Sequence, residues 1–396
     1  MNMETDALIV GAGPSGTICG IRLRQAGVNC IVVDRATFPR VKLCAGVLTR
    51  KSRDVLAEVL GNDSEALLQE TRQSHESHLR LWNKKECFVD CDFTDHRQIP
   101  PSLRGEDWRF TLVDRPAFDL WLLRHYKSLG GTAIEGDGVR AIDFTAHKAR
   151  LASGEVVSYK WLVACDGANS HMERLLGKHD AGFQPKGANA EAYEINVDRS
   201  DLDIDGINVC FGYVPQTYAW AFAKGDKTCL GLCKLSGAHF NGPQAMNNFC
   251  DDFGLQHAEK YPLQAAMIPF DNAMPNPLWH DEVFFCGDAA GLDEALTGEG
   301  IFYALRSGTD AAESIISGNA SLYLKRNRRL QALMHKAAKY QRVVASPKLY
   351  PLFKAIATHD NRFVGYFYLT QIDHSCLNHL PAIYWNYLKE LRLKRL

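Results

Sequence analysis

The chain has 396 residues, of which 46% are hydrophobic and 23% charged, a composition typical of a soluble globular protein with a large core. Lys and Arg number 45 and Asp and Glu 46, so the net charge of −1 gives no reason to expect a nucleic-acid partner. No apolar run is long enough to span a bilayer, and the N-terminal residues are acidic where a secretory signal would be basic. We therefore expect a cytoplasmic protein with two domains.

The cysteines give no sign of a metal site. The chain has 12 of them, and no two form a C-x-x-C pair, so zinc is not expected. Most lie in apolar runs, such as Cys165 in WLVACDG and Cys286 in VFFCGD. These thiols are predicted to be buried and reduced.

The N-terminal stretch predicts a dinucleotide-binding unit. An apolar strand over residues 7–10 enters GAGPSG (11–16), a helical pattern follows, and a second strand over residues 31–33 ends on Asp34. Gly11 permits the tight turn, Gly13 lets the backbone approach a pyrophosphate, and Gly16 lets the helix pack against the strand. Asp34 is placed to accept hydrogen bonds from ribose hydroxyls. The motif does not by itself say which dinucleotide is bound.

Helices and short strands alternate through the next part of the chain. Residues 52–70 have a helical pattern, and residues 77–93 predict a β-hairpin with its turn at residues 83–85. A helix begins at Arg115-Pro116 and ends at Gly130-Gly131. Strands are then predicted over residues 132–135, 139–144, 149–151, 156–159 and 161–164.

From about residue 188 to residue 270 the pattern changes to alternating β, which predicts a separate antiparallel sheet. Its strand candidates are residues 191–198, 207–215, 217–226 and 228–235, followed by a helical stretch over 239–257. An apolar strand over residues 283–286 and a helix over residues 300–317 come next. Residues 320–396 are predicted to be mostly helical, and residues 383–396 carry aromatic and basic side chains that suit either a solvated helix or contact with a membrane surface.

A second glycine-rich motif, GDAAG (287–291) followed by TGEGI (297–301), repeats the order of strand, glycine turn and helix start. At the carboxyl end of a parallel strand, Asp288 would face the ligand crevice and could bind a ribityl hydroxyl. The helix start at Gly300-Ile301 would direct N–H groups at the N1/C2 edge of a flavin. The alternative is a plain turn with an acid that caps the helix.

With three further segments, these motifs resemble the FAD-dependent oxidoreductases that include p-hydroxybenzoate-type hydroxylases, flavin halogenases and geranylgeranyl reductases. The further segments are FPRVKLCAG (38–46), the helix start at Arg115 with FDLWL (118–122), and DGANS (166–170). The resemblance covers residues 5 to about 315 and is greatest to the geranylgeranyl reductases. They carry FPR-x-K-x-C-G-G and Y-x-W-x-F-P-K-G-D, which FPRVKLCAG and YAWAFAKGD (218–226) approach. Ala45 replaces a glycine and Ala223 a proline, so the substrate is not carried over.

The resemblance implies an α/β fold: a Rossmann-like FAD-binding domain, an antiparallel β-sheet substrate domain and a helical C-terminal region. We expect the FAD-binding domain to comprise residues 1–75, 104–187 and 271–345, the substrate domain residues 76–103 and 188–270, and the C-terminal region residues 346–396. The cofactor-binding residues that it implies are Gly11, Gly13, Pro14, Ser15, Gly16, Asp34, Arg35, Cys44, Ala45, Gly46, Arg115, Asp166, Gly287, Asp288, Gly298, Gly300 and Ile301.

Two of these positions keep a simpler interpretation. Arg115 either reaches the cofactor or is a surface arginine before a helix. Asp166 either approaches the cofactor or belongs to a strand-to-helix turn capped by Asn169 or Ser170.

Cys44 is the catalytic candidate, because the resemblance places it beside the isoalloxazine, where it would position substrate or donate a proton. The alternative is a small buried thiol. Tyr218, Trp220 and Phe222 alternate and so share one side of a strand. They form either an apolar substrate wall over the flavin or part of the core of the second domain.

The predicted function is an FAD-dependent oxidoreductase that reduces a C=C bond of an apolar or aromatic substrate by hydride transfer from flavin N5. One alternative is an NAD(P)H-dependent monooxygenase that hydroxylates an aromatic ring, although Gly291 stands where aromatic hydroxylases usually carry His. Another is a flavoprotein that acts on a protein substrate as an electron-transfer or maturation partner. The chain has no second dinucleotide fingerprint, so NAD(P)H and ferredoxin both remain candidate electron donors.

Overall fold

The computed structural model describes residues 2–100, 103–235, 240–270 and 272–372. The strands in these ranges are β1 (Asn2–Val10), β2 (Cys30–Asp34), β3 (Val47–Leu48), β4 (Arg72–Glu76), β5 (His78–Asn83), β6 (Glu86–Asp92), β7 (Phe110–Val113), β8 (Thr132–Glu135), β9 (Val139–Asp143), β10 (Lys148–Leu151), β11 (Val156–Ala164), β12 (Ala190–Asp198), β13 (Ile207–Phe211), β14 (Ala219–Lys224), β15 (Lys227–Lys234), β16 (Gln264–Ile268), β17 (Leu278–Trp279) and β18 (Val283–Phe285). The helices are α1 (Pro14–Gln25), α2 (Arg50–Leu60), α3 (Asp63–Thr71), α4 (Arg115–Ser128), α5 (His171–His179), α6 (Gly242–Asp252), α7 (Ile301–Ile316), α8 (Ser321–Val344), α9 (Tyr350–His359) and α10 (Asn361–Ile372).

The first sheet has the order β17-β18-β11-β1-β2-β8, with β10 paired to β11 and β9 paired to β10. Strands β8, β2, β1, β11 and β18 run parallel, so their carboxyl ends meet at one edge. The strands of this sheet form apolar runs, as parallel strands that are covered on both faces do. In β1, for example, Ala7, Leu8 and Ile9 are fully buried. The two strands predicted over residues 156–159 and 161–164 form one strand, because pairing with β1 continues from Tyr159 to Trp161.

Helices α1 and α7 pack together against this sheet. A side chain at Gly308 of α7 would place its Cβ 2.2 Å from the Ser15 carbonyl oxygen, so only glycine allows this separation. The single helix predicted over residues 52–70 is divided into α2 and α3. The break falls at Gly61, whose φ of 59° a continuous helix cannot contain.

The second sheet has the order β16-β12-β15-β14-β13-β5-β6 and is antiparallel except between β13 and β5. The predicted hairpin is confirmed as β5 and β6, and the predicted strands of the alternating region as β12 to β15. The sequence analysis missed a small sheet, β3-β7-β4. These strands are short, and β4 (RQSHE) has no apolar residue to mark it.

The predicted fold class is confirmed, with α8, α9 and α10 as the C-terminal helices. The domain boundaries stay a prediction. Residues 373–396 lie outside the described residues, and with them Cys376 and the predicted membrane-contact segment 383–396. Among the described helices, none combines the length and the apolar character that crossing a bilayer requires.

Candidate active site

A cavity of about 1190 Å³ lies between the carboxyl edge of the parallel sheet and one face of the antiparallel sheet, and residues of the C-terminal helices also line it. It is larger than the roughly 300–1,000 Å³ that a drug-sized ligand occupies. Gly16 and Gly287 do not line it. The predicted site residues that do are Gly11, Gly13, Pro14, Ser15, Asp34, Arg35, Cys44, Ala45, Gly46, Arg115, Asp166, Asp288, Gly298, Gly300, Ile301, Tyr218, Trp220 and Phe222.

The glycine turn between β1 and α1 has three positions with different geometry. At Gly11, φ is +107° and a Cβ would lie 2.2 Å from the Cys165 carbonyl oxygen. At Gly16, a Cβ would lie 1.9 Å from the Gly11 carbonyl oxygen, so this glycine sets how closely the helix approaches the turn. A Cβ at Gly13 would meet only Arg40 Nη2, at 3.4 Å. Gly13 therefore faces open space at the N-terminus of α1, where anions are favoured.

Asp34 ends β2 at the rim of the same turn. Its Oδ2 accepts a hydrogen bond from the Ala12 N–H at 2.7 Å, and its Oδ1 accepts one from the Ala36 N–H at 2.8 Å. The carboxylate thus holds two loops together, a structural role that the sequence analysis did not predict. Each oxygen keeps a lone pair for a ligand hydroxyl.

Asp166 follows β11 and has most of its hydrogen-bonding capacity occupied. It accepts hydrogen bonds from the Ser170 hydroxyl at 2.7 Å and from the N–H groups of His171 at 2.6 Å and Met172 at 3.0 Å. Ser170 Oγ in turn accepts from the Glu173 N–H and caps α5. These contacts form the strand-to-helix turn capped by Ser170, and this turn lies in the cavity wall. Contact of Asp166 with a cofactor stays a prediction.

Arg115 is not the surface arginine that the alternative describes. It is only 3% exposed, and its guanidinium donates hydrogen bonds of 3.0–3.1 Å to the Asp119 carboxylate. Arg40 Nη2 lies 3.3 Å from the same carboxylate. Burial opposes the charge of Arg115, but the Asp119 carboxylate beside it holds its pKa above the ordinary value, and Cys44 is a further neighbour. A permanent positive charge therefore lies beside Cys44, in the wall of the cavity.

Cys44 is half-buried on the loop before β3, and its position is fixed by backbone contacts. The Gly46 N–H donates to Cys44 Sγ at 3.4 Å, and Lys224 Nζ of β14 donates to the Cys44 carbonyl oxygen at 3.5 Å. Gly46 has φ of +80°, and a Cβ there would lie 2.2 Å from the Val113 carbonyl oxygen. The loop is thus held between the small sheet, at Val113 of β7, and the antiparallel sheet, at Lys224 of β14. The other described cysteines are free and buried, apart from exposed Cys87.

The GDAAG and TGEGI segments form the opposite wall. Asp288 Oδ2 is 3.5 Å from Lys42 Nζ, and α7 begins at Ile301 after Gly300. The sequence analysis missed Glu299, which is buried, pairs with Lys51 Nζ at 2.5 Å and accepts a hydrogen bond from the Thr49 hydroxyl. Its partners lie on and before α2, far away in the sequence, so no local signal marks them.

Asp293 is a second residue that the sequence analysis missed. It is buried in the cavity wall, and no described residue forms a hydrogen bond with its Oδ1. Burial raises its pKa well above the ordinary value, and the neighbouring carboxyl groups of Asp288 and Glu294 raise it further. Its other oxygen, Oδ2, would lie 2.9 Å from a Cβ at Gly300, so the carboxyl group lies directly against the start of α7.

The aromatic residues of β14 show the predicted alternation. Ala219, Ala221 and Ala223 are fully buried, whereas Trp220 and Phe222 project into the cavity. Tyr218, just before the strand, also lines the cavity, and its hydroxyl would lie 2.7 Å from a Cβ at Gly298. The aromatic side chains therefore adjoin TGEGI. Their function as a substrate wall stays a prediction.

The residues present fit FAD. Gly13 leaves space for a pyrophosphate at a helix N-terminus, Asp34 lies at the end of the next strand, and a second helix start lies across the cavity at Gly300. The unpartnered Asp293 oxygen in the same wall offers a hydrogen bond to a polar ligand edge. Within the described ranges, no group of three or more His, Cys, Asp or Glu residues could hold a metal ion.

Comparison with known proteins assigns the family. The FAD binding domain family matches residues 4–317. An uncharacterized protein of Methanosarcina barkeri is 28% identical over 86% of this chain and 80% of its own length. The menaquinone reductase of Mycolicibacterium smegmatis is 27% identical, covering 82% and 79%. The geranylgeranyl diphosphate reductase of Rhodobacter capsulatus is 24% identical, covering 80% and 76%.

Two solved structures show the same fold. A geranylgeranyl bacteriochlorophyll reductase-like protein of Thermoplasma acidophilum superimposes with a TM-score of 0.71 at 17% identity, covering 87% of this chain and 89% of its own. The p-nitrophenol 4-monooxygenase of Pseudomonas putida gives a TM-score of 0.73 at 14% identity, covering 94% and 98%. The chain therefore belongs to the FAD binding domain family of flavoprotein oxidoreductases and has geranylgeranyl and menaquinone reductases among its relatives.

Proposed function

We propose that the protein reduces a carbon–carbon double bond of an apolar or aromatic substrate. The observation that carries this proposal is the position of Cys44, whose thiol lies in the wall of the FAD cavity beside the buried cation Arg115. A thiol in this wall carries an S–H proton that it can donate to a substrate bound in the cavity. Two relatives are named as reductases, which also favours reduction over oxygen insertion.

FAD, when bound, supplies a hydride at flavin N5. Reduction of a C=C bond needs that hydride on one carbon and a proton on the other. Cys44 carries this proton at Sγ, and solvent restores it after product leaves. Arg115 would keep its position through Asp119, so the charge beside the thiol does not have to be reorganised during the reaction.

The antiparallel sheet would hold the substrate and exclude water. Trp220 and Phe222 project into the cavity between the two sheets, and Tyr218 extends this aromatic surface to TGEGI. Flat aromatic side chains bind apolar or aromatic molecules mainly through the surface that they remove from water. In this proposal either NAD(P)H or ferredoxin reduces the bound FAD, and the described residues of the cavity favour neither donor.

Anaerobic turnover tests the proposal. FAD-loaded protein reduced with dithionite would be mixed, without oxygen, with geranylgeranyl diphosphate or menaquinone, the compounds for which the two relatives are named. We expect a product with two additional hydrogen atoms on carbon, detected by mass spectrometry after air has reoxidised any quinol. A hydroxylated product formed only with oxygen would instead show a monooxygenase. A stoichiometric complex with another protein, in the absence of turnover, would favour a protein partner.

A further inference from the structure

Glu194 is a buried carboxyl group in the cavity wall that the proposed reaction does not use. It is 2% exposed and lines the cavity, whereas its neighbours Ile195 and Val197 on β12 point into the core on the opposite face of the sheet. Its Oε1 accepts a hydrogen bond from Asn196 Nδ2 at 3.2 Å, but among the residues that the structure describes its Oε2 has no hydrogen-bond partner. A buried polar atom without a partner is costly, so the site has an unmet hydrogen bond to offer to a ligand.

Trp220 presents a second unpartnered polar atom on the same face. Across the three neighbouring strands, Glu194 pairs with Gly231 and Gly231 pairs with Trp220, so the three positions form one row. A Cβ at Gly231 would lie 2.1 Å from the indole ring and 2.6 Å from Nε1. The indole therefore lies over Gly231, on the Glu194 side of its own strand. Its buried Nε1 has no hydrogen-bond partner in the described part of the chain.

The charged and titratable groups beside Glu194 are Lys224 and Cys229. Burial raises the pKa of Glu194, and Lys224 opposes that rise. The Cys229 thiol is close enough to Glu194 and Trp220 to exert a hydrogen-bond-like influence on both, but its geometry makes no full hydrogen bond to Oε2 or to Nε1. Neither neighbour therefore supplies the missing partner.

The same row becomes apolar on the other side of Trp220. Trp220 pairs with Val209, and Val209 pairs with Leu81, and both of these side chains line the cavity. The row thus offers two polar atoms at one end and an apolar surface at the other. Such a surface is complementary to a molecule that is mostly apolar and has one polar end.

We propose that Glu194 Oε2 and Trp220 Nε1 together bind one oxygen atom of the substrate, a hydroxyl or a carbonyl oxygen. The indole N–H donates to this oxygen. Glu194 accepts from it when it is a hydroxyl, or donates to it when it is a carbonyl and Glu194 is protonated. This assignment rests on the proposed function, since it takes this cavity as the substrate site.

Three aromatic probes of similar size test the assignment: 2-naphthol, 2-methoxynaphthalene and 2-methylnaphthalene. Their affinities for the FAD-loaded, oxidised protein would be measured by calorimetry, without a reductant. We expect 2-naphthol to bind about tenfold more tightly than 2-methylnaphthalene, the effect of about one buried hydrogen bond. The oxygen of 2-methoxynaphthalene can only accept a hydrogen bond. Tight binding of this probe would therefore indicate that the substrate oxygen is a carbonyl oxygen, and weak binding that it is a hydroxyl.

Variants show whether these two residues cause the preference. Glu194→Leu and Trp220→Phe should each weaken this preference, because each removes one of the two hydrogen bonds, whereas Glu194→Gln, which keeps a hydrogen-bonding amide, should retain more of it than Glu194→Leu. Glu191→Gln is the matched control, because Glu191 lies on the same strand, accepts a hydrogen bond from the Tyr193 hydroxyl and does not line the cavity. Its preference should equal that of the wild type. FAD content and thermal melting would be measured for every variant. If Glu194→Leu fails to bind FAD, the probe preference of Trp220→Phe decides whether the assignment holds.

The assignment is overturned if the wild type shows no preference among the probes, or if Glu194→Leu and Trp220→Phe retain it. These binding results do not depend on turnover. If the protein prefers 2-naphthol but reduces no substrate without oxygen, only the proposed reaction is overturned. If it reduces a substrate but shows no preference among the probes, only the assignment of Glu194 and Trp220 is overturned.

Discussion

The two sides of the cavity are built in different ways. On the parallel-sheet side, the important groups are backbone atoms and spaces where a side chain is absent, as at Gly11, Gly13 and Gly16. On the antiparallel side, side chains that alternate along β12 and β14 form the surface. A backbone site needs glycine at fixed spacings, whereas a side-chain surface accepts many residues of suitable size. The residues of the predicted cofactor side are therefore specified narrowly, and those of the proposed substrate side broadly.

The largest effect is expected at Gly16. In Gly16→Ala the new Cβ would lie 1.9 Å from the Gly11 carbonyl oxygen, so α1 must move away from the turn. Overpacking of this kind destabilises proteins by typically 1–3 kcal/mol or more, and we expect a lower melting temperature together with loss of FAD. Gly13→Ala is the matched control for the melting temperature, because the nearest described atom to its Cβ would be Arg40 Nη2, at 3.4 Å.

The apo form of Gly13→Ala should melt like the wild-type apo protein and yet bind FAD at least about tenfold more weakly, because the methyl group occupies the space for the pyrophosphate. Fluorescence titration with FAD measures this affinity. Wild-type FAD affinity in Gly13→Ala would contradict the assignment of this turn to the cofactor.

Cys44→Ser tests the position where the two sides meet. The variant should retain FAD, because the serine keeps the shape of the loop, but its anaerobic turnover should fall by about 100-fold, the lower range for loss of a general acid. Single-turnover kinetics with reduced protein measure the effect. Cys87→Ser, on the exposed edge of β6, should have no effect. Equal turnover in wild type and Cys44→Ser would exclude the proton donor role.

The smallest effect is expected at Gly231, where a change should disturb the substrate side alone. In Gly231→Ala the new Cβ would lie 2.1 Å from the Trp220 ring, so the indole must turn away from its present position. We expect KM to rise about tenfold or less while FAD content stays unchanged. Steady-state kinetics and the flavin absorbance of the purified protein provide both values. Loss of FAD in this variant would show that the two sides are not independent.

The sequence by itself determined the parts that depend on local geometry. Tight turns with positive φ and close helix packing require glycine, so GAGPSG identifies the dinucleotide turn, and the apolar runs around it identify the parallel strands. The alternation of Tyr218, Trp220 and Phe222 likewise predicted which side chains share one face. These patterns are visible because each arises from residues within a few positions of one another.

Only the tertiary structure decided which distant groups meet. Arg115 is buried beside Asp119 and Cys44, which lie on different segments of the fold. Glu299 is buried because Lys51 neutralises its charge and Thr49 donates a hydrogen bond to it. Glu194 and Trp220 become neighbours only because β15 places Gly231 between them. Strand order and long-range pairing depend on how the whole chain packs, and a local pattern of residue types contains no record of them.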